Sequence, residues 1–164
     1  MKPPQDFIKL NCDGSCYGNP GPTSIGGIFR NEQCGWVTGY AFDMGIAYSL
    51  DAKICSIRLG LKIAWDIGFR HLWVESDCEV AVNLILLGDH SFHSSGHIIL
   101  DCREYLLRNW NCRISHVHRE GNKCADFLAN WGHDYCGLTL LTSPPTGLGS
   151  LILDDIVGLP VARL

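Results

Sequence analysis

The chain has 164 residues, 46% of them hydrophobic and 18% charged, which suits one folded domain with a full core plus a tail. That balance excludes a disordered chain. A formal net charge of −4 also counts against tight, autonomous nucleic-acid binding driven by phosphate neutralisation alone.

Phe7–Cys12, Ser24–Arg30 and Trp36–Met44 read as strands, and the turn at 31–35 with its glycine joins the last two as a hairpin. A three-stranded antiparallel meander follows. Ser49–Ile67 switches to helical period, with Leu50, Ile54, Ile57, Leu61, Ala64 and Trp65 recurring at three- and four-residue steps. Ser49 is its expected N-cap and Gly68 its stop. Arg70–Ser76 is a short apolar strand that ends at Asp77. Helices are predicted at Cys78–Leu87 and Ile98–Trp110, a strand at Asn111–His118 and a last clear helix at Asn122–Trp131. The order βββ-α-β-α-α-β-α is an α/β layer structure with a mixed sheet. From Gly137 the text turns to Leu, Thr, Pro and Gly, with Leu151–Val157 as a short docking helix. The expected organisation is a domain at 6–135 and a Pro/Gly-rich tail at 136–164.

The N-terminus, Met-Lys-Pro-Pro-Gln-Asp, lacks an apolar leader, and no apolar run reaches the roughly 18 residues that span a bilayer. An intracellular protein of nucleus or cytoplasm, without membrane contact, is expected. The nine cysteines then read as reduced thiols. No Cys-x-x-Cys exists, and the nearest two, Cys12 and Cys16, do not form one, which argues against a zinc ribbon or a thioredoxin-like site.

Three acids stand at predicted element ends: Asp13 after the first strand, Asp77 after the fourth, Asp126 in the first turn of the last helix. Singly, each is more often a cap than a ligand. Together they suit phosphodiester hydrolysis, in which carboxylates converge on two divalent ions about 4 Å apart. Magnesium fits such a site, because it takes oxygen ligands and keeps waters.

The contexts are more specific than the acids. Asp-Gly-Ser-Cys-x-Gly-Asn-Pro-Gly-Pro at 13–22, Glu-Ser-Asp at 75–77 and His-Val-x-Arg-Glu-x-Asn-x-x-Ala-Asp-x-Leu-Ala at 116–129 together resemble the ribonuclease H type 1 family. The chain is most similar to its plant, retroelement-derived (reverse-transcriptase-like) branch, over about residues 6–135. The resemblance implies a five-stranded mixed sheet flanked by helices, three strands antiparallel and two parallel. It implies cleavage of the RNA strand of RNA/DNA hybrids with Mg2+ or Mn2+. Position by position, Asp13, Asp77 and Asp126 match three of four metal-binding acids. His116 matches a histidine that assists proton transfer or product release. Gly14, Ser15, Cys16, Asn19, Ser49 and Asn122 match substrate-binding positions, Cys16 and Asn19 at the hybrid's minor groove. There the ribose 2′-OH separates RNA from DNA.

The chain departs from the family at the fourth acid. Where the family has a motif like Ser-Leu-x-Ala-Glu-Leu, residues 49–54 read Ser-Leu-Asp-Ala-Lys-Ile, so Lys53 takes the glutamate's place. Lys53 flanks the buried stripe, and its ammonium is expected to reach the sheet edge that carries Asp13 and Asp77. At an effective dielectric near 20, each unit-charge contact at about 4 Å is worth about 4 kcal/mol, so metal binding should weaken severely. Asp51 cannot substitute, because two helical residues turn through about 200°.

His90, His93 and His97 form a zinc-like run, but the surrounding Gly and Ser read as a loop between helices. Arg103, Arg108, Arg113, Arg119 and Lys123 form either a phosphate-binding strip or a solvated face. Two functions of different class remain. One is a metal-dependent hybrid endoribonuclease impaired by Lys53. The other is a catalytically inactive nucleic-acid- or protein-binding module that keeps the fold. Either is expected to be monomeric.

Overall fold

The computed structural model describes residues 1–88 and 95–158. Alternation sets the sheet. In β1 (Ile8–Cys16), Leu10 and Cys12 point into one core while Lys9, Asn11 and Asp13 point the other way. The strand pairs antiparallel with β2 (Gly21–Arg30), from Lys9↔Arg30 to Cys16↔Thr23, and β2 pairs with β3 (Trp36–Ala47). β1 therefore runs on past Asp13, which lies within the strand opposite Gly26 rather than at its end. The turn is tighter than its Gly and Pro content suggests. A Cβ on Gly21 would lie 2.0 Å from the Tyr17 carbonyl oxygen, so only glycine lets β2 begin there. The Tyr17 N–H donates to the Pro22 carbonyl at 2.8 Å and closes the loop.

Helix α1 (Ser49–Ile67) keeps its predicted bounds and buries Ile54, Ile57, Leu61 and Ala64. Its N-cap is Tyr48, not Ser49, and the Ser49 N–H donates instead to Asn19 Oδ1 at 2.9 Å. Gly14 lets this helix approach the sheet, because a Cβ there would meet the Ala52 Cβ at 2.8 Å. The chain crosses to β4 (His71–Ser76), which lies parallel to β1, then through α2 (Glu79–Leu86) and α3 (Gly96–Leu106) to β5 (Asn111–His116), parallel to β4. Helix α3 stops at Leu106 rather than Trp110, whose indole N–H turns back to the Tyr105 carbonyl at 2.7 Å. A 3-10 turn at Arg119–Gly121 leads into α4 (Lys123–Trp131), and another follows at Gly132–Asp134.

The mixed sheet has six strands, in the order β5-β4-β1-β2-β3-β6. The resemblance implies five. The sixth, β6 (Leu138–Leu141), pairs antiparallel with the outer edge of β3. Its Leu138 and Leu140 are exposed, so no half-buried alternation marked it in the sequence. Helix α5 begins at Leu148, three residues before the expected start at Leu151, and runs to Val157.

Helices α1, α2 and α3 cover one face through Phe29, Tyr40, Leu72, Val74, Ile99 and Ile114. On the other, Ile28 meets Cys124 and Leu128 of α4 and Leu148 and Ile152 of α5. Ile28 and Phe29 are neighbours on β2 and serve opposite cores. Residues 136–158 thus extend both the sheet and the second core. Among the described residues no helix is long and apolar enough to cross a membrane.

Candidate nucleic-acid interface and acidic site

The parallel register gathers the acids. β1 and β4 last pair at Cys12↔Ser76, so Asp13 and Asp77 leave that pair at the same level. β4 and β5 last pair at Ser76↔His116, which sets His116 one strand further out. Asp126 follows on the first turn of α4. Asp13, Asp77 and His116 stand where the parallel pairing ends, the side on which α/β sheets bind ligands.

Lys53 reaches into this group. Its Nζ lies 2.8 Å from Asp13 Oδ1 and 3.8 Å from Asp77 Oδ1, with its own side chain 19% exposed and those of Asp13 and Asp77 5% and 7%. Burial pulls the ammonium's pKa down. The charge and hydrogen bond of Asp13 and the charge of Asp77 more than reverse that, holding it above 10.5. It is a permanent cation at neutral pH. Asp51 does not compete for the position, since it accepts a hydrogen bond from the Ser95 hydroxyl.

The acids also repel one another. Burial raises the pKa of Asp77, Asp13 raises it further, and Lys53 only partly offsets this. Asp126 is raised by burial and then by Asp13. Among the described residues, Asp77 Oδ1 is buried without a hydrogen-bond partner. A carboxylate held above its ordinary pKa destabilises the fold once ionised. Asp77→Asn is therefore expected to raise Tm at pH 7 by roughly 2–4 °C, the effect of about 1 kcal/mol in a domain of this size. The gain shrinks as pH falls through the raised pKa and vanishes below 3.8, where Asp77 is protonated folded or unfolded. Thermal melts of both proteins across pH 3–8 check it, and a Tm loss at pH 7 contradicts it.

The loop residues divide by role. Asn19 is exposed at the turn and bound to the start of α1. The Cys16 thiol faces the carbonyls of Gly18 and Ala47 as donor and accepts from the Thr23 hydroxyl, which fixes the loop from inside. Ser15 donates to Asn130 Oδ1 at 2.7 Å. Asn122 is not at the surface. It is buried, its Nδ2 donating to the Cys12 carbonyl and its Oδ1 accepting from Asn11, both at 3.1 Å. It is a positioning residue that holds α4 against β1 and so places Asp126 beside Asp13.

Residue-by-residue reading missed the network around Asn122. Lys9 and Glu75 form a buried ion pair at 2.7 Å, and Asn11 donates to Glu75 at 3.2 Å. Arg30 donates to Asn11 Oδ1 at 2.6 Å and pairs with Asp155 of α5. The available signal was alternation: Lys9, Asn11 and Asp13 interleave with Leu10 and Cys12, which marks a polar face.

The basic strip does not form. Arg103 donates to the carbonyls of Leu84 and Ile85 at the end of α2. Arg108 lies over Tyr105 and Arg113 over Trp73. Arg119 and Lys123 line a hollow with Glu120 and Asp126. His90 and His93 lie outside the described residues. Among those described, no three His, Cys, Asp or Glu side chains converge to hold a metal ion. The Lys53 ammonium stands between Asp13 and Asp77, where it competes with any cation those carboxylates would hold.

Residues 11–132, well over half of the chain, match the family described as reverse transcriptase-like. The chain belongs to that family. This reverse transcriptase-like domain is 31% identical over 159 residues to an Arabidopsis thaliana protein provisionally named a ribonuclease H protein. The match covers 96% of this chain and spans 26% of that relative's length. Among solved structures, the ribonuclease H1 of the archaeon Halobacterium salinarum superposes with a TM-score of 0.73 at 26% identity, over 78% of this chain and 98% of that one. The ribonuclease H1 called LC11, solved in complex with an RNA/DNA hybrid, gives 0.70 at 22% identity, over 77% and 96%. The fold of the domain is that of ribonuclease H.

Proposed function

We propose that this domain grips RNA/DNA hybrids across the face that carries the Asp13 loop, and that Lys53 lowers its hydrolysis of the RNA strand far below that of a four-acid site. The ion pair of Lys53 with Asp13 carries this reading. Two divalent ions would supply an activated water and a stabilised leaving oxygen. An ammonium supplies neither, since it has no open coordination position and carries half the charge. It does neutralise part of the acidic cluster, which otherwise repels a phosphate backbone. Lys53 thus suits binding better than turnover.

In this reading Asp13, Asp77 and Asp126 are ligand positions for Mg2+ or Mn2+ with weakened affinity, and His116 is the proton-transfer position. Gly14, Ser15, Cys16, Asn19 and Ser49 present the loop and the start of α1 to the minor groove, where a 2′-OH is read. The protein acts as a monomer inside the cell, in nucleus or cytoplasm. The second reading, a binding module with no turnover at all, is favoured by the burial of the Lys53–Asp13 pair.

Cleavage of a labelled hybrid with Mg2+ and with Mn2+, in wild type and Asp13→Asn, tests the proposal. Slow cutting that Asp13→Asn abolishes supports it, and hybrid binding without any cutting supports the second reading. Rapid cutting that Asp13→Asn leaves intact removes the site.

A further inference from the structure

The β1–β2 turn holds an aromatic ring that the site above does not use. Tyr17 is 59% exposed. One face of its ring is covered by His133, with centroids 3.8 Å apart and planes 18° from parallel. With that much of the residue exposed, the face away from His133 is the one presented to solvent. The stack is tied down at every level. His133 Nε2 and Ser15 Oγ lie 3.0 Å apart, Ser15 donates to Asn130, and Asn130 Nδ2 donates to the Asp126 carbonyl at 2.9 Å. The His133 ring that backs Tyr17 is thereby fixed to the strand of Asp13 and to the helix of Asp126. A second stack follows directly, Trp131 on Tyr135 at 3.9 Å and 22°, with Tyr135 also exposed.

A rigid ring with one free face is a stacking platform for another planar group. Nucleobases inside a duplex have both faces covered by their neighbours, so a base within the paired run cannot use it. A tyrosine present only for packing would bury its side chain, and Tyr17 is more than half exposed. We propose that the outer face of Tyr17 is a subsite for an unpaired nucleobase, so that the domain prefers hybrids that continue into single strand. This rests on the hybrid-binding reading above. His133 backs the ring and is a positioning residue.

The test is fluorescence anisotropy in EDTA on a blunt hybrid, the same hybrid with a short single-stranded extension at either end, and duplex DNA. Wild type is expected to bind one extended hybrid roughly 5- to 100-fold tighter than the blunt one, the range that stacking of one base supplies. In Tyr17→Ala the ratio of extended to blunt affinity falls to about one, and in Tyr17→Phe it stays at the wild-type value because the ring remains. His133→Ala lowers it part of the way. A wild-type ratio near one overturns the proposal, as does a Tyr17→Ala loss equal on blunt and extended hybrids, which marks packing on sugars instead. Those results leave hybrid binding standing. Blunt hybrid bound no better than duplex DNA overturns that reading and this one with it.

Discussion

Lys53→Glu is expected to raise magnesium affinity at the acidic cluster on the order of 100-fold, and hybrid cleavage with it. Asp13, Asp77 and Asp126 with Lys53 carry a net −2, from three carboxylates and one ammonium; with glutamate the four carboxylates carry −4. The wild-type ammonium lies 2.8 Å from Asp13 and 3.8 Å from Asp77, so a metal must displace it before binding. The variant removes that competition and adds a ligand. It also removes Lys53, the larger of the two cations, with Arg119, that offset the repulsion on Asp77. Without metal the variant should therefore melt below wild type, and magnesium should restore it by binding the folded state alone. Calorimetric titration, single-turnover cleavage and melts with and without EDTA read the three effects. Unchanged metal affinity in a folded variant contradicts the assignment of Lys53 as the blocking group.

The second large effect is on stability. Asn11→Ala is expected to cost about 3–5 kcal/mol, the range for breaking a buried charged network by removing one member. Asn11 joins Glu75, Asn122 and Arg30, and each would lose a partner inside the protein. The Lys9–Glu75 pair beside it would remain, with one carboxylate hydrogen bond missing. Urea unfolding should show a lower midpoint with an unchanged slope. A loss under about 1 kcal/mol would show that water replaces the amide, and that the network does not hold α4 to β1.

The elements that bury a periodic stripe were legible in the sequence. Ser49–Ile67 is the clearest case, because Ile54, Ile57, Leu61 and Ala64 fall on one side of the helix and all are buried. The motifs name Asp13, Asp77 and Asp126, and the motif at 49–54 with helical spacing directs Lys53 toward the sheet edge, where it lies beside Asp13 and Asp77. What was hidden depends on pairing. Asp13 lies inside β1 only because β2 begins at Gly21, and that start is set by an approach of chain to chain across the turn. β6 has four residues and two exposed leucines, so it exists through the edge of β3 rather than through its own pattern. The resemblance names Asn122 as a substrate-binding position, yet the structure buries it against β1. The Tyr17–His133 stack joins residues far apart in the chain, and no local pattern announces it.

The most direct measurement is the affinity of the wild-type protein for a labelled RNA/DNA hybrid, titrated in EDTA and in magnesium, with strand integrity read from the same samples. The predicted result is the same affinity in both buffers and an intact RNA strand over the time of the titration. An affinity that collapses in EDTA, or RNA cut rapidly in magnesium, would contradict the account that Lys53 stands in the metal's place.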